Sequence, residues 1–175
     1  SDEIPMSTFT VIWNITTDEE DNLYIGLTGT GGGEPAYVFK LDDEGNNLWG
    51  SGGVQVGAGY SVTILPLYNG EVIVSWFPGG ESVLQKYDST GVAQWDTTAT
   101  ISEDGNDTVP ANMFELSDGD FVLIFHSITF GINSNLFAQR YNSSGVLQWA
   151  NPTQLSNYGT VFNRTYDGLQ DGDII

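Results

Sequence analysis

Short apolar runs separated by turn residues follow one another along the whole chain. Turn dipeptides precede such runs at four places: Asp21-Asn22, Asn69-Gly70, Asp118-Gly119 and Asp171-Gly172. Asn-Gly and Asp-Gly between apolar runs are the strongest short signal for a β-hairpin, because both turn residues take positive φ. No window of useful length has apolar residues at helical spacing. The pattern therefore predicts an all-β protein built from hairpins.

A second motif recurs downstream of each hairpin. It consists of a basic residue, an apolar residue, Asp or Asn, two residues, Gly, three residues and Trp. The copies run from Lys40 to Trp49, from Lys86 to Trp95 and from Arg140 to Trp149. The chain has only 4 Lys and Arg residues in total, and three of them occupy this one position. Chance is therefore a poor explanation of the repeat.

Together the two motifs predict a repeated unit of four strands. Strand one precedes the hairpin turn, strand two follows it, strand three ends at the basic residue and strand four carries the Trp. A four-stranded meander repeated at this spacing is typical of a β-propeller blade. We expect a single β-repeat domain over 1–175, a partial propeller of about three and a half antiparallel blades. The predicted blades span 8–55, 56–103 and 104–156, with a half blade at 157–175.

So few blades do not close an ordinary ring. A fragment of a longer propeller is the favoured explanation, because the last residues fall inside a predicted strand and would leave a raw edge. Two chains that complete one another are the alternative. An open stack of β meanders and a β-sandwich are the other folds that the pattern allows.

Composition limits the partners. Hydrophobic residues make up 39% of the chain, enough for a packed core, and the formal net charge is −19. Such an acidic surface repels nucleic acid and anionic membranes, and no stretch is apolar for long enough to span a membrane. With no Cys in the chain, a disulfide framework and a thiolate metal site are excluded.

The repeated Trp and basic residues have two interpretations each. The Trp residues could stack on sugars, but a Trp at one fixed repeat position is better explained by packing between neighbouring sheets. The basic residues could form a patch for a ligand, but so many carboxylates surround them that pairing with an acidic residue is the better interpretation. Both sets of residues therefore predict architecture rather than chemistry.

No catalytic motif is present. His126 is the only His, and it follows an apolar run with no Ser or Cys nucleophile motif beside it. The sequence predicts that the chain is not an enzyme and needs no cofactor. Calcium is the exception to consider, since Glu103, Asp104 and Asp107 would lie together in the link between two blades. A solvated acidic loop is the alternative for these residues.

Loops between strands two and three vary most between the repeats. They are predicted at 28–35, 77–82 and 126–135, and loops on a rigid scaffold often bind ligands. Phe77, His126 and Phe130 are the candidate ligand or partner contacts there, with Phe77 and Phe130 expected to be exposed. Glycosylation sequons occur at four positions: Asn14, Asn106, Asn142 and Asn163.

The repeat resembles those of β-propeller proteins that bacteria secrete or display on the cell surface. Lys40 to Trp49 and Gln139 to Trp149 match two styles of this repeat. The segment from Asp118 to Phe125 is similar to its companion strand, with Asp120 and Phe125 as departures. The resemblance covers nearly the whole chain, implies an extracellular or cell-surface location and supplies no catalytic residues.

From the resemblance we expect a non-catalytic module for adhesion, scaffolding, or glycan or protein binding. Its partners would be a glycan, a protein, or further blades and copies of itself. One alternative is a structural subunit that assembles through open β edges into an oligomer or filament. The other is part of a larger secreted enzyme whose active residues lie outside this chain.

Overall fold

The computed structural model describes residues 10–29, 33–103, 105–129 and 133–156. Within these ranges the chain forms only β-strands, turns and loops, with no helix. The strands are β1 Thr10–Thr17, β2 Leu23–Gly29, β3 Pro35–Leu41, β4 Val54–Ala58, β5 Tyr60–Pro66, β6 Val72–Phe77, β7 Ser82–Tyr87, β8 Ala99–Ile101, β9 Asp107–Glu115, β10 Phe121–Thr129, β11 Asn133–Tyr141 and β12 Thr153–Ser156. The predicted half blade at 157–175 lies outside the described residues.

Each run of four consecutive strands forms one antiparallel sheet in chain order. Sheet one is β1-β2-β3-β4, sheet two is β5-β6-β7-β8 and sheet three is β9-β10-β11-β12. The predicted fold class is confirmed: the chain is all-β, and its sheets are four-stranded meanders of the propeller-blade type. The three sheets form an open row rather than a closed ring. The first strands β1, β5 and β9 contact one another along the row, and we call them the inner strands.

Burial shows how the row is packed. Every residue of β6 in the middle sheet is buried, because sheets one and three cover its two faces. In β10 of sheet three, burial alternates instead, with Phe121, Leu123 and Phe125 buried and the residues between them half-buried. Side chains of a strand point alternately to the two faces of its sheet. The buried residues of β10 therefore point towards sheet two.

Two apolar clusters fill the spaces between the sheets. Between sheets one and two the cluster includes Tyr24, Val38, Val62 and Val74. Between sheets two and three a second cluster comprises Leu67, Ile73, Leu84, Ile101, Met113, Phe121, Leu123, Phe125, Phe137 and Tyr141. The core is thus divided between the two sheet-to-sheet interfaces, as expected for stacked blades.

The repeated Trp does not lie on strand four, which corrects the sequence-based assignment. Trp49, Trp95 and Trp149 lie in the turns between strands three and four, and the fourth strands begin several residues later, at Val54, Ala99 and Thr153. The chain folds back after strand three through a tight Asp/Asn-x-x-Gly turn and one isolated bridge, such as Leu41 to Asn47. Sheet one consequently extends to Ala58, beyond the predicted blade end at 55.

Each of the first two Trp residues packs on the next sheet, as predicted. Trp49 is only 7% exposed, and its Nε1 donates a hydrogen bond to the carbonyl of Ser89 in sheet two at 2.9 Å. Its ring meets Tyr24 edge-on, with 5.7 Å between the centroids. Gly91, at φ +85°, lies beneath the ring: a Cβ added there would lie 3.0 Å from Trp49 and 2.7 Å from Val54. Glycine is therefore required by both conformation and space.

Trp49→Ala should lower the free energy of unfolding by about 3–5 kcal/mol, the usual cost of truncating a buried aromatic residue. Urea unfolding followed by circular dichroism measures the change. Leu48→Ala is the matched control, because Leu48 is 47% exposed and should change stability by only about 0.5 kcal/mol. Equal effects of the two substitutions would contradict the assignment of Trp49 to the core.

Gly91→Ala should cost more than Gly45→Ala. Both glycines have left-handed φ angles, +85° and +81°, so alanine at either position costs about 1–2 kcal/mol in backbone strain. Only Gly91 has neighbours in the way, whereas no described atom lies within 4 Å of a Cβ at Gly45. Overpacking should add about 1–3 kcal/mol at Gly91. Identical melting temperatures of the two variants would show that the close approach is unimportant.

Candidate functional site

The two ends of the sheets differ in kind. One end, which we call the turn end, carries the short turns between strands one and two and the Asp/Asn-x-x-Gly turns. The opposite end, the loop end, carries the loops between strands two and three and the links from one sheet to the next. At the loop end Thr10 is paired with Gly29 and Tyr60 with Phe77. This end holds the variable loops in which the sequence predicts ligand contacts.

Aromatic rings gather at the loop end of sheets one and two. Tyr60, the first residue of β5, is 39% exposed. Its ring meets Phe77 edge-on with centroids 4.9 Å apart, and Trp13 with centroids 6.2 Å apart and planes at 30°. Trp13 donates its Nε1–H to Thr28 Oγ1 at 2.7 Å. We call Trp13, Tyr60 and Phe77 the loop-end aromatic cluster.

Phe77 differs from the prediction. It is the last residue of β6 and is only 4% exposed, so the expectation of an exposed side chain is wrong. The reason is the pairing of β5 with β6, which brings Tyr60 directly opposite Phe77. Tyr60 is the ring that reaches solvent, and the buried Phe77 ring contacts it edge-on.

His126 also lies elsewhere than predicted. The sequence places it at a strand end facing a loop, but β10 continues to Thr129 and His126 is paired with Leu136 and Val109 inside sheet three. Its Nδ1 lies 2.9 Å from Ser134 Oγ on the adjacent strand. Phe130, the third loop candidate, lies outside the described residues.

The link between sheets two and three is closed by hydrogen bonds from buried hydroxyl groups. Thr108 Oγ1 donates to the carbonyl of Ile101 at 2.7 Å and accepts from the backbone N–H of Ser82 at 2.8 Å. Ser82 Oγ in turn donates to the carbonyl of Thr108. These contacts hold the start of β9 against the loop that precedes β7.

Glu103, one of the calcium candidates, is part of the same link. Its Oε2 accepts a hydrogen bond from Ser127 Oγ at 2.5 Å and another from Asn106 Nδ2 at 2.9 Å. Asp107 is exposed at the start of β9, and Asp104 lies outside the described residues. Across 10–29, 33–103, 105–129 and 133–156, no three His, Asp or Glu side chains form a group suited to a metal ion. The calcium site stays a prediction, since it depends on Asp104.

Three of the four sequon asparagines lie in the described ranges, each with a hydrogen-bonding role. Asn14 Oδ1 accepts from the backbone N–H of Ile64 at 3.2 Å, which joins β1 to β5. Asn106 donates to Glu103, and Asn142 Oδ1 accepts from the N–H of Val146 at 3.0 Å. Asn163 lies outside the described residues. Glycosylation of these residues stays a prediction.

The basic residues of the repeat lie at the turn end and are paired with carboxylates, as predicted. Lys86 Nζ lies 3.0 Å from Glu71 Oε2, and Arg140 lies 2.5 Å from Asp118 and 2.7 Å from Asp120. Each cation pairs within its own sheet, across the hairpin of strands one and two. These residues therefore stabilise the hairpin turns through ion pairs and do not form a basic patch for a ligand.

Lys40 makes the most enclosed of these pairs. Its Nζ lies 3.2 Å from Asp18 Oδ2, with only 5% and 8% of the two side chains exposed, and 5.1 Å from the centroid of the Tyr24 ring. Asp18 Oδ1 also accepts from the N–H of Asn22 at 2.9 Å. Burial raises the pKa of Asp18, but hydrogen bonds from Asn22 and Lys40 outweigh it and hold that pKa below its usual range.

Comparison with known proteins adds several structures of related shape. No family model and no curated protein matches the chain. The chain is similar to a protein of unknown function from Bacteroides caccae (TM-score 0.45, 10% identity, covering 86% of this chain and 69% of the other). It is also similar to an endo-arabinase from Bacteroides thetaiotaomicron (TM-score 0.48, 14% identity, 89% and 67%). A third is an α-L-arabinofuranosidase from Clostridium thermocellum (TM-score 0.46, 15% identity, 83% and 49%).

The expectation that the chain is not an enzyme is corrected by these comparisons. Two of the similar structures named above are enzymes, an endo-arabinase and an α-L-arabinofuranosidase. The chain spans about half the length of the arabinofuranosidase, of which it covers 49%. Absence of a short catalytic motif is a poor basis for the expectation, because glycoside hydrolysis needs only a pair of Asp or Glu side chains.

The part of the chain that the structure describes contains no helix of the length and apolar character needed to cross a membrane.

The sequence reasoning missed Trp13 and Tyr60 as site residues. Both are outside the repeated motif, so alignment of the repeats does not mark them. Trp13 is the fourth residue of β1 and Tyr60 the first residue of β5, and no pattern in the sequence marks either position as a site.

Stability should depend on pH through Asp18. Because its pKa is lower in the folded protein than in the unfolded chain, Asp18 stabilises the fold at pH above about 4, and this contribution is lost as pH falls below that value. A double-mutant cycle of Asp18→Asn and Lys40→Met, measured by urea unfolding, should show a coupling energy at pH 7 that shrinks towards pH 3. A coupling that stays constant over this range would contradict the role of the charged carboxylate.

Proposed function

We propose that this chain is part of a larger carbohydrate-active β-propeller enzyme and that its loop end contributes to the sugar-binding face. The observation that carries the proposal is the partly exposed ring of Tyr60, which contacts the rings of Phe77 and Trp13. Ligand sites are lined mainly by aromatic and apolar side chains with a few polar groups that fix orientation. A supported aromatic ring beside variable loops matches this description.

Exposing the apolar ring of Tyr60 to water has a free-energy cost. Tyr60 keeps 39% of its surface in water although its two aromatic neighbours are held within the sheets. A ring that already packs against two others loses less conformational freedom on binding than a free one, so contact with a flat apolar surface is favourable. The C–H face of a pyranose or furanose ring offers such a surface, and its hydroxyl groups can bond to polar groups around it.

Charge favours the same class of ligand. With a formal net charge of −19, the protein repels polyanions, whereas a neutral sugar pays no such penalty. Asp and Glu are also the residues that glycoside hydrolysis uses as acid and base. In this proposal those catalytic carboxylates come from the part of the enzyme outside this chain, and the loop-end aromatic cluster positions the sugar.

A role in adhesion or surface scaffolding, which the repeat resemblance implies, stays a prediction. So does an extracellular location. Each of these expectations would be compatible with sugar binding at the loop end, and neither is supported by a particular contact in the described residues.

Tyr60→Ala should weaken binding of a neutral oligosaccharide by about tenfold or more, equivalent to about 1.4 kcal/mol of lost contact. The affinity is measured by isothermal titration calorimetry, with arabino-oligosaccharides as the first probe and xylo- and cello-oligosaccharides as the next. Tyr68→Ala is the matched control, because Tyr68 is 71% exposed but lies in the turn between β5 and β6, at the opposite end of the sheet. It should leave the affinity unchanged.

Two outcomes would contradict the proposal. One is equal loss of affinity in the Tyr60 and Tyr68 variants, which would place binding elsewhere. The other is no heat of binding for the parent chain with any of the three sugar series, while circular dichroism shows it to be folded. Phe77→Leu provides a further check: it keeps an apolar support beneath Tyr60 and should reduce affinity less than removal of the Tyr60 ring.

A further inference from the structure

Each inner strand contains one β-bulge at the same depth in its sheet. The pairing with the second strand shifts at Trp13 in β1, at Ser61 and Val62 in β5, and at Ala111 in β9. A regular paired segment of equal length separates each bulge from the turn end, namely 14–17, 63–66 and 112–115. A bulge places two residues of one strand opposite one residue of its partner, and bulges near functional sites re-aim side chains. The bulges therefore divide each inner strand into a regular part and a loop-end part.

The bulge of β5 determines which residue meets Phe77. Regular pairing in this strand reaches Thr63, which lies opposite Ser75. Without the bulge, the same register would pair Ser61 with Phe77 and leave Tyr60 beyond the end of β6. The extra residue instead pairs Tyr60 with Phe77, and the two rings meet edge-on with centroids 4.9 Å apart. The contact between these two rings thus depends on the bulge.

Ser61 has the backbone conformation that this bulge requires. Its φ angle is +58°, in the left-handed region, where a residue with a Cβ is strained and glycine is not. Within the described ranges, Asp21 is the other non-glycine residue with positive φ. In one class of bulge the first residue is left-handed, and it is usually glycine. Serine therefore occupies a glycine-type position, and strain of this kind clusters at sites that bind ligands.

Ser61 also lies between the other two bulges. It is only 7% exposed, and its Oγ donates to the carbonyl of Pro110, next to the bulge of β9, at 3.4 Å. On the side of sheet one, the bulged residue Trp13 contacts the ring of Tyr60. The bond to Pro110 is long compared with the usual O–H···O distance of about 2.7–2.8 Å. We therefore expect the backbone conformation of Ser61 to matter more than its hydroxyl group.

We propose that Ser61 is a positioning residue for sugar binding, because its left-handed conformation makes the bulge that brings Tyr60 opposite Phe77. The inference rests on the proposed function, in which Tyr60 contacts the sugar. A residue that adopts a left-handed φ easily should keep the ring in place even without a hydroxyl group. A β-branched residue resists this conformation and should displace the ring.

Two substitutions separate the conformation from the hydroxyl group. Ser61→Gly removes the hydroxyl and keeps the left-handed conformation, whereas Ser61→Thr keeps the hydroxyl and disfavours that conformation. The affinity is measured by isothermal titration calorimetry with arabino-oligosaccharides first, then with xylo- and cello-oligosaccharides. Ser61→Gly should bind within about twofold of the parent. Ser61→Thr should bind about tenfold more weakly.

Asp21→Thr is the matched control for loss of stability. Asp21 has φ +61° and lies at the turn end, between β1 and β2, so threonine there conflicts with the backbone in the same way. Both threonine variants should lower the melting temperature by about 2–4 °C, but only Ser61→Thr should weaken sugar binding. Equal loss of affinity in the two variants would overturn the positioning role. Loss of affinity in Ser61→Gly would overturn it as well, and this variant relieves strain, so it provides a test even if Ser61→Thr does not fold.

The ring contact can also be measured without a sugar. A nuclear Overhauser effect between the ring protons of Tyr60 and Phe77 should be present in the parent and in Ser61→Gly, and absent in folded Ser61→Thr. A folded Ser61→Thr variant that keeps this signal would overturn the inference. If Tyr60→Ala weakens binding and Ser61→Thr does not, the inference fails and the proposed function stands. If the parent shows the ring contact and binds none of the sugars, the proposed function fails first, and the assignment of Ser61 to sugar binding fails with it.

Discussion

The structure depends on one packing contact between successive sheets: an indole ring lying on a turn whose glycine leaves room for it. A sheet with two apolar faces is stable only when both faces are covered, and β6, buried along its whole length, shows this state. Trp49 over Gly91 and Trp95 over Gly145 set the separation of the sheets at the turn end. Hydrogen bonds from their Nε1 atoms to backbone carbonyls also orient the rings. The hydrophobic effect alone cannot do this, because it has no preferred direction.

This contact divides the molecule into a repeated end and a variable end. The turn end holds everything that the repeat specifies, including the Asp/Asn-x-x-Gly turns and the ion pairs of Lys40, Lys86 and Arg140. The loop end holds residues that occur once. Function at the loop end can change without loss of the packing, because the variable loops lie at the opposite end of the sheets from the contacts of Trp49 with Gly91 and Trp95 with Gly145. Tyr60, supported by its neighbours, illustrates such a residue.

The charges follow the same division. Three of the four basic residues form ion pairs within their own sheets. They therefore do not neutralise the carboxylates on the rest of the surface. A carboxylate such as Asp18, which accepts hydrogen bonds from Asn22 and lies beside Lys40, is a structural group of the hairpin turn. Most other carboxylates remain available to repel polyanions, which leaves neutral molecules and further β-sheets as the partners that suit the surface.

Particular residues show what could be predicted. The strand class, the meander order, the packing role of Trp49 and the pairing of Lys40 all follow from the repeat, because local turn chemistry and residue spacing determine them. The position of the Trp in a turn, the burial of Phe77 and the placement of His126 inside β10 depend on strand pairing and register, which spacing along the chain does not specify. The aromatic cluster at the loop end brings Trp13 of one sheet against Tyr60 of the next. Only the tertiary structure decides that contact, because it depends on how two sheets lie against each other. The sequence by itself determined which residues form the strands of each sheet.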